Sequence, residues 1–187
     1  LFDSAQAGNF GRGSFLDVGL VTFDGAERHE LAYDEFAEGY TLPRNAFDLW
    51  DGTGAQVTVS AEGTGRMGSF STEVGSPQNM EMIAVEGDAL DRAGTTFTWT
   101  PGNGDAVVVR LRVNNKHIAC VSADDGSIEI PAEAFAWLGN EALRAGARVS
   151  RFVKQTVRSE EPVGAVDIVL ERRWVPNADT GEIDFAQ

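Results

Sequence analysis

Two acidic turns hold the residues whose types and spacing come nearest to a metal site. Asp124 and Asp125 stand in the run Ser-Ala-Asp-Asp-Gly-Ser, and Asp179 stands in Asn-Ala-Asp-Thr-Gly-Glu. Carboxylate and carbonyl oxygens are the ligands that Ca²⁺ prefers. The same residue types also form ordinary hairpin turns, and neither run has the spacing of an EF-hand loop. Two interpretations stay open, plain turns or a structural Ca²⁺ site, and no other cofactor is expected.

Patterns that would indicate catalysis are weak in this chain. The two histidines, His29 and His117, form no metal-binding pair by spacing, and no Gly-x-Ser-x-Gly nucleophile turn occurs. The run Gly63-Thr-Gly-Arg-Met-Gly68 matches the spacing of a dinucleotide motif, but the residues after it alternate like a strand where that motif needs a helix. We therefore predict a β-turn or bulge there, and a protein that is not an enzyme.

The four tryptophans offer a different chemistry, stacking on a sugar ring. Trp50 and Trp174 stand in polar surroundings and are predicted to be exposed, so they are the candidate ligand-binding residues. Trp99 alternates in step with Phe97 and is predicted to lie in the core. Trp137, beside an apolar neighbour, is predicted to join a helix to a sheet.

Charge excludes some classes of partner. The net charge of −14 argues against nucleic acid and against an anionic membrane surface. Residues 1–60 contain ten acids and three arginines, whereas residues 144–173 contain seven basic residues and four acids. This asymmetry has two readings: separately solvated surfaces, or an acidic end that meets a basic end within one molecule or between neighbours.

The elements that must position these residues are mostly strands. In the clearest one, Val107, Val109, Leu111 and Val113 occupy one face and arginines the other, and Asn114-Asn115 then forms a tight hairpin. Such alternation, with Gly, Pro, Asn and Asp between the runs, predicts an all-β antiparallel sandwich, immunoglobulin-like or jelly-roll-like. The predicted strands are 15–23, 56–61, 68–74, 80–85, 95–100, 105–113, 116–122, 147–157 and 165–174.

Helix is scarce and no linker is visible. Pro131 at a first-turn position and Gly139 at the stop predict one short helix. We predict an N-terminal arm over 1–14 and a single domain over 15–187. The one cysteine, Cys120, cannot form an intrachain disulfide and is predicted to be a core residue. No apolar run approaches the length of a membrane span.

Residues 56–140 carry a pattern of turns and core strands. It runs from the glycine-rich turn before Phe70 to Trp99-Thr-Pro-Gly, a valine-rich strand, Ile118-Ala-Cys, Asp125-Gly-Ser and Ile130-Pro. This order resembles exported and envelope proteins of myxobacterial type. The resemblance implies a secreted or envelope-anchored β-sandwich, and it implies no catalytic residues.

Two functions follow as hypotheses. The first is a non-enzymatic structural or assembly protein of the cell surface, which binds itself and adds a strand from its N-terminal arm to a neighbour. The predicted assembly residues are Phe10, Phe15, Leu16 and Val18. The second is an extracellular module that binds a glycan or a protein, with or without structural Ca²⁺. The first residue, Leu1, suggests a processed form, a trimmed chain or a fragment.

Overall fold

The computed structural model describes residues 17–35, 40, 49–85, 89–139, 142–159, 164–176 and 181–186. Over this part of the chain the fold is all-β and sandwich-like, with mostly antiparallel strands and one short helix. This confirms the fold class predicted from the alternating pattern. The helix, α1, is Ala132–Leu138.

The strands, in chain order, are β1 Val21–Asp24, β2 Arg28–Leu31, β3 Gln56–Ala61, β4 Phe70–Gly75, β5 Met82–Val85, β6 Gly94–Trp99, β7 Ala106–Val113, β8 Lys116–Ser122, β9 Ser127–Pro131, β10 Arg144–Ser159, β11 Gly164–Trp174 and β12 Glu182–Asp184. Three of them, β2, β9 and β12, were not predicted. They are five residues long or shorter, so local alternation is too brief to reveal them.

The chain divides into two compact units. Among the described residues, unit 1 contains those of 78–152 and 171–186, and unit 2 contains those of 17–77 and 153–170. The sequence predicts a single domain because it shows no linker. Within the described residues the units meet at three positions, 77/78, 152/153 and 170/171. The last two lie inside β10 and inside β11, so a continuous strand crosses each of them and no linker is present there.

Unit 1 contains α1, one complete sheet and most of a second sheet, whose strands β10 and β11 continue into unit 2. One sheet has the order β5-β6-β9, and the other is a five-stranded sheet of order β11-β10-β7-β8 with β12 also paired to β10. One hydrophobic core joins Phe97 and Trp99 of β6 to Val109 of β7 and Val149 of β10, and α1 adds Phe135. The prediction that Trp99 lies in the core is confirmed, since it is 1% exposed.

Unit 2 contains the four-stranded sheet β2-β1-β3-β4. Val57 and Val59 of β3 and Val74 of β4 are buried, and they belong to a second hydrophobic cluster that also includes Ile168 and Leu170 of β11. In β3 the buried residues alternate with partly exposed ones, as expected for a strand with one face on a core.

The pairing of β7 and β8 determines which of their side chains share a face of the sheet. The register places Val113 opposite Lys116, Arg112 opposite His117 and Arg110 opposite Ala119. Because successive side chains of a strand point to opposite faces, the buried Val109 and Leu111 put Arg110 and Arg112 on the other face of the sheet. The predicted alternation of β7 is confirmed.

Candidate ligand-binding site

The turn between β7 and β8 projects polar side chains beyond the end of the sheet. Asn114 has a φ of +54°, and it is the non-glycine residue with positive φ within the described ranges. Asn tolerates this left-handed conformation better than most residues, so Asn114-Asn115 can close a tight hairpin, as predicted. Asn114, Asn115 and Lys116 are all exposed.

The helix α1 places an exposed aromatic ring beside this turn. Phe135 and Leu138 are buried at 1% and 4% exposure, whereas Trp137 is 63% exposed. The prediction that Trp137 joins the helix to a sheet was wrong, because Phe135 and Leu138, three positions apart, form the buried face of the helix instead. The spacing of Phe135 and Leu138 was the signal in the sequence that could have placed Trp137 outside.

Lys116 links the turn to the helix. Its Nζ donates a hydrogen bond to the carbonyl oxygen of Trp137 at 2.9 Å and lies 5.5 Å from the centroid of the Trp137 ring. An ammonium group at this distance from an indole is attracted to its ring, although weakly at an exposed position. The contact holds the ring next to Lys116 and the turn.

The segment after α1 is held by Arg92. Its two terminal guanidinium nitrogens donate to the carbonyl oxygens of Gly139 and Ala142, each at 2.6 Å, and its guanidinium carbon lies 4.0 Å from the centroid of the Phe185 ring. These contacts hold the backbone of Gly139 and that of Ala142 in place.

Together these elements enclose a depression of about 480 Å³. Its lining residues are Val113, Asn114, Asn115, Lys116, Leu138, Gly139 and Ala142. We call this depression, with the neighbouring ring of Trp137, the hairpin site. Amides that donate and accept hydrogen bonds and an ammonium group line this depression together with a few apolar side chains, so it is mostly polar and open to solvent.

The structure gives Asp124 a role other than the predicted metal ligand. Its Oδ2 lies 2.8 Å from Nε of Arg151, and the two side chains are 2% and 0% exposed. Its Oδ1 accepts from Trp99 Nε1 at 2.9 Å, and its Oδ2 accepts from the backbone of Gly102 at 3.1 Å and of Gly104 at 2.8 Å. Both carboxylate oxygens are therefore engaged by protein donors, which would have to be displaced by a cation.

Arg151 completes this buried cluster. Its guanidinium also donates to the carbonyl oxygens of Gln78 at 3.0 Å, Asn79 at 2.9 Å and Thr100. A charge buried in this way requires an opposite charge and a full set of hydrogen bonds. The cluster thus ties the turn before β7 to the middle of β10, and its role in this structure is to hold the fold of unit 1.

The other predicted metal ligands are not brought to Asp124 in the described part of the chain. Asp125 is exposed, and Asp179 lies outside the described residues. Within the described ranges no group of three or more His, Cys, Asp or Glu side chains is arranged to hold a metal ion. A structural Ca²⁺ stays a prediction for this protein.

The predicted sugar-stacking residues belong to separate hydrophobic clusters. Trp50 is partly buried against the core of unit 2, and Trp174 is partly buried against the core of unit 1. Trp50 also lines a smaller depression of about 180 Å³ with Gly25 and Asp51, and its buried Nε1 has no hydrogen-bond partner among the described residues. The more exposed ring is Trp137, which the sequence reasoning did not select.

The predicted assembly residues fall mostly outside the described part of the chain. This applies to Phe10, Phe15 and Leu16 and to the whole arm 1–14. Val18 is 6% exposed and packs in the core of unit 2, and its backbone N–H donates to the hydroxyl of Tyr40 at 2.8 Å. In this structure the side chain of Val18 is a core residue.

Cys120 is partly buried against the core of unit 1, and burial raises the pKa of its thiol. Within the described part of the chain, no helix is long and apolar enough to cross a membrane.

Comparison with models of protein families, with curated proteins and with solved structures finds no match to this chain.

Proposed function

We propose that this chain is a non-enzymatic, extracellular or cell-surface protein that binds a glycan at the hairpin site. The observation that carries this proposal is the ring of Trp137, 63% exposed beside a depression of about 480 Å³. Tryptophan is enriched at binding surfaces because its ring combines a large apolar area with an N–H donor. The resemblance to exported envelope proteins supports the same location.

The polar residues of the site favour a sugar over an apolar ligand. A sugar ring has an apolar C–H face and several hydroxyl groups, so it needs both a flat aromatic surface and groups that donate and accept hydrogen bonds. Trp137 supplies the surface, and the amides of Asn114 and Asn115 can donate and accept at the same time. Lys116 adds three N–H donors, one of which already holds the carbonyl oxygen of Trp137.

The proposal is tested with the substitution Trp137→Ala and a panel of immobilised oligosaccharides. Truncation of a central aromatic anchor costs about 2 kcal/mol or more, so affinity should fall about 30-fold. Trp137→Phe should retain part of the affinity. Val175→Ala is the matched control, because it removes an exposed apolar side chain that does not line the depression. Binding that Trp137→Ala leaves unchanged, or absence of binding to every glycan, would contradict the proposal.

A second function, self-assembly by strand addition, has its own observation. Strand β8 lies at the edge of its sheet in the described order, and from Ile118 to Ser122 it has no proline and no charged side chain. Natural proteins usually place proline or charged side chains on an edge strand, because an edge without them can pair with another chain. We expect the N-terminal arm, residues 1–14, of a neighbouring molecule to pair with this edge of β8.

Light scattering over a concentration series tests this second function. Growth in molar mass that is abolished by deletion of residues 1–14 would support it. A molar mass that stays at 20.1 kDa at every concentration would exclude it under those conditions.

A further inference from the structure

The turn between β6 and β7 contains the dipeptide Asn103-Gly104. An asparagine deamidates when the backbone nitrogen of the next residue attacks the carbon of its side-chain amide. A glycine in the next position favours this attack, because it has no Cβ atom and the least restricted backbone. Asn103 is exposed, so water can reach it. The pair therefore has the residue types for a spontaneous modification of the chain.

The fold requires the glycine of this pair. A Cβ atom on Gly104 would lie 2.7 Å from Cγ of Arg151 and 2.9 Å from Oδ2 of Asp124. These two side chains form the buried ion pair, at 0% and 2% exposure, and breaking such a pair is costly. Gly102 is constrained in the same way, since its Cβ would lie 2.6 Å from the guanidinium carbon of Arg151. The buried pair thus keeps a glycine after Asn103.

The same buried pair also holds the attacking atom. The N–H of Gly104 donates to Oδ2 of Asp124 at 2.8 Å, so the proton that must leave this nitrogen is hydrogen-bonded to a carboxylate. A hydrogen bond to the protonated form of a group disfavours loss of the proton, and so does a negative charge nearby. Asp124 is ion-paired with Arg151, so loss of the Gly104 proton would place two negative groups side by side. Attack by Gly104 is therefore suppressed while this hydrogen bond lasts.

The side chain of Asn103 is anchored as well. Its Oδ1 accepts from the backbone N–H of Gln78 at 2.9 Å. Gln78 is itself held by Arg151, whose guanidinium donates to the carbonyl oxygen of Gln78 at 3.0 Å. Ring closure needs the amide carbon of Asn103 to approach the nitrogen of Gly104 in the correct orientation. Because both reacting groups are hydrogen-bonded to other parts of unit 1, the turn must open before they react.

We propose that Asn103 is a deamidation site controlled by the carboxylate of Asp124. When the turn opens, the nitrogen of Gly104 forms a bond to Cγ of Asn103, the bond from Cγ to Nδ2 breaks, and ammonia leaves with the proton from Gly104. Water then adds to either carbonyl carbon of the ring and leaves an aspartate or an isoaspartate at position 103. No oxidant or reductant takes part, and water is the co-reactant.

The modification weakens the cluster that restrains it. Either product adds a negative charge to the turn that Asp124 binds, and an isoaspartate also adds one atom to the backbone before Gly104. Both changes oppose the hydrogen bonds that Asp124 accepts from Gly102 at 3.1 Å and from Gly104 at 2.8 Å. Deamidation of Asn103 is thus a one-way change that lowers the stability of unit 1, and it does not depend on glycan binding.

Peptide mapping by mass spectrometry tests the inference on the whole chain at neutral pH. Conversion of Asn103 is followed over days in the native protein and in urea. We expect it to be slower in the native protein by about tenfold or more, because a structured site reacts only from its open form. Equal rates, or no conversion in urea, would overturn the proposal. Hydrogen exchange of the Gly104 N–H is a second measurement: we expect protection, and free exchange would overturn the role of Asp124.

Two variants separate the effect of Asp124 from that of global stability. Asp124→Asn removes the carboxylate that holds the N–H of Gly104, whereas Phe135→Ala destabilises unit 1 by truncating a core side chain on α1. At a temperature where circular dichroism shows both variants folded, Asp124→Asn should deamidate at position 103 about tenfold faster than Phe135→Ala. Equal rates would assign the protection to global stability and overturn the control by Asp124. If Asp124→Asn does not fold, hydrogen exchange at Gly104 in the unaltered chain decides.

Discussion

Asp124→Asn should be the most destabilising conservative substitution in unit 1. The change keeps the shape of the side chain and removes its charge. Arg151, which is 0% exposed, then becomes a buried cation without its counter-charge. Asn can still accept a hydrogen bond at one oxygen, but it cannot serve Trp99, Gly102, Gly104 and the guanidinium together.

The magnitude follows from the burial of the pair. Removal of one partner from a buried ion pair costs about 3–5 kcal/mol. The total free energy of unfolding of a natural domain is about 5–15 kcal/mol, so Asp124→Asn should remove about a fifth of it or more. The exposed neighbour gives the control, because a surface substitution such as Asp125→Asn changes stability by about 0.5 kcal/mol or less.

Urea unfolding followed by circular dichroism measures the effect as a lower midpoint at an unchanged slope. Arg151→Met and the double variant complete a double-mutant cycle. Because the two side chains interact directly, the double variant should be less destabilised than the sum of the single variants. A cost of Asp124→Asn below about 1 kcal/mol, or additive single costs, would refute the reasoning that this pair is a buried and coupled structural unit.

Three further predictions concern other parts of the chain. Burial raises the pKa of Glu171, but a hydrogen bond from Arg173 and the charges of Arg173 and Arg110 outweigh this and hold the pKa below its ordinary value of 4.5. The contribution of Glu171 to stability is therefore present above pH 4.5 and is lost as the pH falls through the lowered pKa, so Glu171→Gln should flatten the acid side of a melting-temperature profile. Because burial raises the pKa of Cys120, iodoacetamide should alkylate it far more slowly in the native protein than in urea; equal rates would place the thiol in solvent. Gly63 has a φ of +84°, and a Cβ there would collide with the backbone of the following turn, so Gly63→Ala should cost about 1–3 kcal/mol in urea unfolding. Gly65→Ala, where a Cβ would meet no atom within 4 Å, is its control.

The sequence was sufficient where local alternation decides the structure. The valines of β7, the Asn114-Asn115 hairpin and the stop of α1 at Gly139 follow from periodicity and turn chemistry, and each is confirmed. The glycine-rich run 63–68 is also a tight turn, as predicted: the N–H of Thr64 donates to the carbonyl oxygen of Met67 at 2.7 Å.

The sequence was insufficient where partners lie far apart along the chain. The local sequence around Asp124 is typical of a turn or of a metal ligand. Its partner in the structure, Arg151, lies 27 residues later in the chain. The cluster of Arg110 and Arg148 likewise depends on the register that brings these two residues opposite each other. Neither register nor long-range burial can be read from a local pattern, so the chemistry of both clusters emerges only from the fold.

Strand β12 comes last among the described strands, and this position has a consequence for how the protein folds during synthesis. Strand β12 pairs with the start of β10, and Phe185 forms a bridge with Leu90. Unit 1 therefore cannot close its sheet until residues near 185 have emerged from the ribosome. Proteins dominated by such distant pairings fold slowly and expose unpaired strands meanwhile. We expect nascent chains shorter than this to remain protease-sensitive, and native protection to arise in one late step.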